Sequence, residues 1–296
     1  MKRKEILLAA IIGGSVLLFF GLMFLAVLSG SGDDSGIDLG GDKVAVIEVH
    51  GIISNPTDFI RQIKKYSKES SVPVIVLDID SPGGGVAASQ EMYEEINKAR
   101  EKGKKIVASM RSVAASGGYY IACAADTIVA NPGTITGSIG VIFEFPIVEE
   151  LLKKIGVKFE VVKSGELKDV GSMWRDMSPK ERKMAQDLID DTYDQFVDVI
   201  VKERGMDREE VLELADGRVF TGRMAKELQL VDTLGNLEDA IKIAGQMADI
   251  KGEPKVVKER LYKRVTIWDV LTQGAEKLTS LVDYDKYFPK LQYLYR

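Results

Sequence analysis

The sequence predicts an α/β fold with a mostly parallel sheet, placed behind one apolar N-terminal segment. Three observations predict it. Short apolar runs alternate with helical stretches from Val44 to Ala248, two glycine-rich turns each lead from such a run into a helix, and 23 uncharged residues, Ile6 to Leu28, follow a basic tip. Strands that alternate with helices of this length require crossover connections, and those favour parallel pairing.

The N-terminal stretch is taken first. Lys2, Arg3 and Lys4 precede the apolar run, which is long enough to span a hydrocarbon core of ~30 Å at ~1.5 Å per residue. A cleaved secretory signal has a shorter apolar region and a small-residue cleavage site, which Ala26-Val27-Leu28-Ser29-Gly30 matches poorly. Residues 1–28 are therefore expected to be a cytoplasmic tip and an uncleaved transmembrane helix, with the basic end inside. The Gly/Ser/Asp-rich residues 29–42 read as a flexible linker, which puts everything from Lys43 outside the membrane.

In the part that follows, Val44–Val49 and Val74–Ile79 are short apolar runs of the buried-strand type. Thr57–Lys68 between them has helical spacing. Val86 to about Glu101 is a second helix, Lys105–Ser109 a third strand, Ser116–Ala125 a helix and Thr127–Ala130 a strand. The alternation is expected to continue with a strand at Val141–Phe145, a helix near Ile147–Ile155 and a strand at Lys158–Val162. Pro179–Arg204 is a long amphipathic helix with proline at its first turn. Thr221 and Asn236 are N-caps of two further helices, the latter running from Leu237 to Ala248. The division expected is a catalytic-type domain over 43–250 and a C-terminal extension over 251–296. That extension ends Tyr287-Phe288-Pro289-Lys290-Leu291-Gln292-Tyr293-Leu294-Tyr295-Arg296. So many aromatic and aliphatic residues seek a partner, either as a structural brace or as an extended strand added to a groove.

Composition narrows the function classes. Of 296 residues, 45% are hydrophobic and 29% charged, and the net charge is -5. A basic stripe of the kind that binds nucleic acid is missing. A single cysteine, Cys123, rules out a disulfide within the chain, and seven positions beyond Ser116 it reads as a small core residue. A single histidine, His50, excludes a histidine-rich metal site, and without an evident orienting carboxylate it is a poor catalytic base. No cofactor is implied. Asp78 and Asp80 read as loop-capping residues in preference to a metal pair.

Two loops carry the chemistry: Ser81-Pro82-Gly83-Gly84-Gly85 and Ala114-Ala115-Ser116-Gly117-Gly118-Tyr119-Tyr120. Each opens a helix, where backbone N–H groups are unsatisfied and attract negative charge. The N–H of Gly117 and one from the Gly83-Gly84 turn are suited to a developing oxyanion, each such donor being worth ~3 kcal/mol in a transition state. The same glycines serve equally well as turns that let helices pack closely on strands. A serine hydroxyl needs a base, and a neutral lysine amine can be one. Lys163 and Lys168 both leave the region after Val162, and spacing does not choose between them.

The chain resembles the signal peptide peptidase A family of bacterial membrane-bound serine proteases. The resemblance rests on Asp80 to Gly85, Ala114 to Tyr120, Thr136-Gly137-Ser138-Ile139-Gly140-Val141, Lys163-Ser164-Gly165 through Lys168-Asp169, and Gly217 to Arg223 with Leu230-Val231-Asp232, standing in that order. It implies a crotonase/Clp-protease-like fold, a repeated β-β-α superhelix, and a Ser-Lys dyad with Ser116 as nucleophile and Lys168 as general base. It also implies a homo-oligomer, a tetramer or octamer, acting on cleaved signal peptides and other hydrophobic peptides at the membrane. The hydroxyl of Ser138 is suited to orient a neutral amine. Arg111-Ser112 stands where small or acidic residues are usual in the family, and Gln229 where glycine is common. Three alternatives stay open: a crotonase-like acyl-CoA enzyme, distinguished by acyl-CoA binding; a non-catalytic membrane scaffold, distinguished by failure of a serine probe to label Ser116; and a relative acting on membrane-organising proteins.

Overall fold

The computed structural model describes residues 41–259 and 292–294. The chain divides into two units, Met1–Gly41 and Asp42–Arg296. The expected cytoplasmic tip, transmembrane helix and most of the linker lie outside the described residues. Among the described residues no helix is long and apolar enough to cross a membrane.

The second unit is built on an eight-stranded sheet of order β7 (Val219–Thr221), β6 (Ile135–Gly137), β4 (Lys105–Ala115), β2 (Val74–Ser81), β1 (Lys43–His50), β9 (Lys255–Lys258), with β5 (Thr127–Ala130) beside β4 and β8 (Thr233–Leu234) beside β5. Its central strands are β1 (Lys43–His50), β2 (Val74–Ser81) and β4 (Lys105–Ala115), all parallel. They read as near-continuous apolar runs because both faces are covered. Ala45, Ile47, Ile75, Leu77, Ile106 and Ala108 pack into one core cluster, while Val44, Val46, Val74, Val76 and Val107 pack into a second on the opposite face. Helix α1 (Thr57–Lys68) presents Phe59, Ile63 and Tyr66 to the first cluster. Helix α2 (Val86–Glu101) adds Met92, Tyr93 and Ile96.

β4 is the element that positions the site. Its first half, Val107–Met110, pairs with β5 (Thr127–Ala130), and its last three residues, Val113–Ala115, pair with β6 (Ile135–Gly137). The strand thus runs six residues past the expected end at Ser109 and carries Ser116 out to a second layer of pairing. β6 in turn pairs antiparallel with β7 (Val219–Thr221), and β5 pairs with β8 (Thr233–Leu234). β3 (Gly83–Gly85) leads into α2, and α3 (Gly117–Ala122) follows β4 directly.

The remaining helices are α4 (Glu149–Ile155), α5 (Pro179–Arg204), α6 (Arg208–Leu214), α7 (Gly222–Glu227) and α8 (Leu237–Met247). The start of α5 carries the signal read from the sequence, Pro179 in the first turn, and one that the reading missed, a capping box between Ser178 and Glu181. Asn236 forms a second capping box with Asp239, and Thr221 caps α7.

Two expected strands do not form. Val141–Phe145 is irregular apart from one bridge at Ile142, and Lys158–Val162 pairs with nothing described. Alternation there reads like a strand, but among the described residues only Ile142 finds an edge, at Gln292, and Val162 stays 95% exposed. At the other end the sheet continues past residue 250, because β9 (Lys255–Lys258) lies parallel to β1. A last short strand, β10 (Gln292–Leu294), pairs antiparallel with β3.

Candidate active site

Ser116 sits at the turn between β4 and α3 with φ 54° and ψ −116°. A positive φ at a residue with a Cβ costs on the order of 1–3 kcal/mol and tends to occur where function demands it. The turn is pinned from both sides. The Ser116 N–H donates to the Gly137 carbonyl at 2.8 Å, and the Ser116 carbonyl accepts the Tyr120 N–H at 2.8 Å. The side chain is fully buried, yet its Oγ makes no hydrogen bond. A buried hydroxyl without a partner is destabilising by roughly 1–3 kcal/mol, so packing and hydrogen bonding do not account for a serine here.

The two glycine loops meet beside it. A Cβ on Gly83, where φ is +98°, would lie 2.7 Å from the Gly117 nitrogen. A Cβ on Gly117 would lie 3.2 Å from the Gly83 Cα and 2.6 Å from Ser89 Oγ, and one on Gly84 only 2.1 Å from the Ile53 carbonyl oxygen. Only glycine lets the two backbones approach this closely. The Gly83 N–H is held by Ser81 Oγ at 3.1 Å, and that hydroxyl donates to the Gly51 carbonyl at 2.6 Å. Gly118 shows the other use of glycine: its Cβ would meet the Ser81 carbonyl oxygen at 2.8 Å, so it serves helix-on-strand packing.

Over these loops lies β10. Tyr293 stands opposite Gly84, and on its other edge Gln292 exchanges two hydrogen bonds of 3.1 Å with Ile142. The Tyr293 carbonyl oxygen would be 2.0 Å from a Cβ on Gly83 and 3.1 Å from one on Gly117. Its ring is fully buried, stacked on Tyr120 with centroids 5.1 Å apart and tilted on Phe196 at 4.7 Å. Gln292–Leu294 form an extended strand packed on their own domain, with Tyr293 in the main core cluster, a conformation that both readings of the tail allow.

Lys168 is exposed, and the Ser116 hydroxyl has no hydrogen bond to it within this chain. The two lysines left open by spacing differ sharply. Lys163 Nζ donates to the Glu166 carbonyl at 2.8 Å and to Asp169 Oδ1. Asp169 is also bound by Arg175 at 2.8 Å, and these two cations hold its carboxyl below the usual range. Asp169 therefore faces Lys163 and Arg175. Arg175 continues to Glu181, holding that carboxyl down to about 2. Ser138, also at positive φ (48°), is buried next to Gly137 and so neighbours the Ser116 turn.

His50 corrects one expectation: it does have an acidic neighbour, its Nε2 lying 3.6 Å from Asp78 Oδ2. Asp78 is nonetheless committed elsewhere. Both of its oxygens accept from Arg111, one at 2.7 Å from Nη2. Arg111, unusual beside the family pattern, is thus the counter-ion of a fully buried aspartate. Asp80 does not cap its own loop as expected: it accepts the Val113 N–H of β4 at 3.1 Å, where the β2–β4 register shifts. Glu48, His50 and Asp78 lie close enough to share an ion, but Lys258 binds Glu48 and Arg111 binds Asp78, so their charge is already balanced. Cys123 is buried and its thiol is pushed up to about 12 by desolvation, which makes it inert. Trp174 stacks on Phe159 at 4.0 Å. Sequence reasoning missed Ile53, Ile142, Thr192 and Phe196 as parts of the groove. The adjacent pair Tyr119-Tyr120 after the serine motif was the available signal.

A serine at positive φ thus stands at a strand-to-helix turn, with two glycine loops beside it and an extended strand of the same chain laid across. Residues 98–251 of this chain match Peptidase family S49. A Synechocystis sp. protein named as a protease is 43% identical over 242 residues, covering 81% of this chain and 87% of its own length. An Enterococcus faecium protein named as signal peptide peptidase SppA is 39% identical, covering 67% of this chain and 62% of its own. Protease 4 of Salmonella typhi is 37% identical over 71% of this chain, which spans only 35% of that protein. Among solved structures, a membrane-bound stomatin-specific protease gives a TM-score of 0.47 at 16% identity, covering 75% of this chain and 99% of that one. The chain belongs to peptidase family S49, the signal peptide peptidase A family, and is a serine protease.

Proposed function

We propose that this serine protease is a membrane-anchored endopeptidase of crotonase/Clp-protease-like fold that degrades cleaved signal peptides and other hydrophobic peptides outside the membrane. Ser116 attacks the carbonyl carbon of the scissile bond, and Lys168, neutral and oriented by Ser138, takes its proton. Gly117 and the Gly83-Gly84 turn donate to the oxyanion, and the lysine returns the proton to the leaving amine. The observation that carries the reading is the strand Gln292–Leu294: an extended peptide pairs with β3 and places a carbonyl against Gly83 and Gly117, beside an unpaired serine hydroxyl.

The base must arrive from elsewhere. With Lys168 exposed and Lys163 tied up in ion pairs, the reading requires either a rearranged segment 158–176 or the lysine of a second copy. Apolar side chains exposed over the same region, Leu151, Ile155, Phe159 and Val162 among them, favour the second copy and hence a homo-oligomer, a tetramer or octamer. The test is to incubate the full chain in detergent with a cleaved signal peptide and map fragments by mass spectrometry. Internal cleavage that vanishes with Ser116→Ala supports the proposal, and an uncut peptide with unlabelled Ser116 overturns it.

A further inference from the structure

Every N–H donor of the Arg175 guanidinium is engaged. Two reach Asp169, Nε to Oδ2 at 3.2 Å and Nη2 to Oδ1 at 2.8 Å. Two reach Glu181, Nη1 to Oε2 at 2.8 Å and Nη2 to Oε1. The last reaches the Asp176 carbonyl at 3.0 Å. The two carboxylates differ in kind. Glu181 is an anchor: it is 1% exposed, lies in the first turn of α5 and also accepts the Ser178 N–H at 2.8 Å. Asp169 belongs to the turn that carries Lys168. There the Lys168 N–H donates to the Gly165 carbonyl at 3.1 Å and the Ser172 N–H to the Asp169 carbonyl at 3.0 Å. Arg175 therefore ties the lysine's turn to the start of a long helix through one carboxylate.

That carboxylate is the one next to Lys168 in the chain. An opposite charge within ~4–6 Å favours the charged form of an amine, whereas a general base must be neutral to take a proton. Side chains of adjacent residues in a turn can meet by changing rotamer. Here they do not. Asp169 is engaged by Arg175 and Lys163, and Lys168 has no ion pair or side-chain hydrogen bond among the described residues. The other charged groups of the turn are paired apart from it: Lys163 also donates to the Glu166 carbonyl at 2.8 Å, and the Glu166 carboxylate accepts Lys180 of α5 at 2.6 Å. We infer that Arg175 is a positioning residue for the catalytic lysine, holding Asp169 against Glu181 and off the Lys168 amine. This rests on the reading of Lys168 as the base. Lys168, Asp169 and Arg175 are close in sequence, so the clamp travels with the lysine whether it serves its own chain or a second copy.

The experiment measures kcat/KM against pH for the full chain in detergent, with a fluorogenic hydrophobic peptide. Arg175→Gln is expected to move the acid limb of the profile up by about one pH unit, the lower end of the effect of a nearby opposite charge. At pH values on that limb the loss is roughly tenfold, while the alkaline plateau is retained. Asp169→Asn added to Arg175→Gln should return the limb to its original position, because no carboxylate is left beside the amine. Lys163→Ala leaves both Arg175 bonds to Asp169 and should leave the limb unmoved. A clamp that is merely structural predicts a rate lowered equally at every pH and no restoration by Asp169→Asn, and that result overturns the inference. If Arg175→Gln lacks a cooperative melting transition, Arg175→Lys takes its place. A single ammonium cannot grip two carboxylates side-on, and the more deeply buried Glu181 claims it, so Asp169 is released. The limb must then shift the same way, and an unmoved limb refutes the role. Lys168→Ala separates the two levels. Undiminished cleavage by that variant sinks the base itself, whereas an inactive Lys168→Ala beside an unmoved Arg175→Gln profile sinks the positioning role alone.

Discussion

At the scale of single residues, the site is made by backbone constraint more than by side-chain partners. Ser116 has no hydrogen bond to its hydroxyl, and its position is set by the Gly137 and Tyr120 contacts of its main chain. Ser116→Ala is therefore expected to leave the melting temperature unchanged or raised while removing at least about a thousandfold of peptide hydrolysis. Lys168→Ala should do the same, and the double variant should be no worse, since groups acting as one unit are not additive. Lys163→Ala should act mainly on stability, because that amine is bound to Asp169 and the Glu166 carbonyl. Near-normal turnover by Lys168→Ala alongside an inactive Lys163→Ala would reverse the assignment. Gly83→Ala meets both a positive φ and the Tyr293 and Gly117 backbone, and should abolish activity through the loop.

The Arg175 pair with Glu181 belongs to the same scale and gives a pH prediction. The Glu181 carboxyl is held at about 2, chiefly by Arg175. A carboxyl depressed in the folded state adds stability that is complete above its unfolded value and is lost as pH falls toward the folded one. The segment around Trp174 should accordingly loosen between about pH 4.5 and 2. Trp174 fluorescence reports this directly, through its stack on Phe159. Glu181→Gln should show the loosened signal already at neutral pH. An acid transition unchanged in that variant would show that another group controls it.

At the scale of elements, two strands decide what the groove can hold. β4 continues from its pairing with β5 to a pairing with β6, and that extension brings Ser116 beside Gly137 and Ser138. β10 occupies the groove between β3 and Ile142, where a substrate strand would pair. Removing residues 292–296 is expected to lower KM for hydrophobic peptides several-fold with the assembly intact. Analytical ultracentrifugation and steady-state kinetics on one preparation separate this from a brace, which would give a smaller particle or a lower Tm with unchanged KM.

At the scale of the molecule, the described chain holds Ser116 and the two glycine loops in the buried core but leaves Lys168 in an exposed segment. A shared dyad follows naturally if copies meet over that segment. Mixing inactive Ser116→Ala with inactive Lys168→Ala chains should restore activity when subunits exchange. Exchange is to be shown independently, by two fluorescent labels. No recovery with proven exchange would place the dyad within one chain.

The sequence by itself determined the alternation of elements, the helices at Thr57–Lys68, Val86–Glu101 and Pro179–Arg204, the caps at Thr221 and Asn236, and the identity of the serine loop. These are local properties: periodicity, capping and glycine requirements act over a few residues and are written in them. The tertiary structure alone decided that Val141–Phe145 and Lys158–Val162 are not strands, that Arg111 serves Asp78, that Lys163 is held by Asp169, and that Tyr293 reaches Thr192 across 101 positions of sequence. A strand exists only if another edge is there to pair with it, and a lysine is free only if no carboxylate reaches it. Both conditions depend on which distant segments the fold brings into contact, and no window of sequence contains that information.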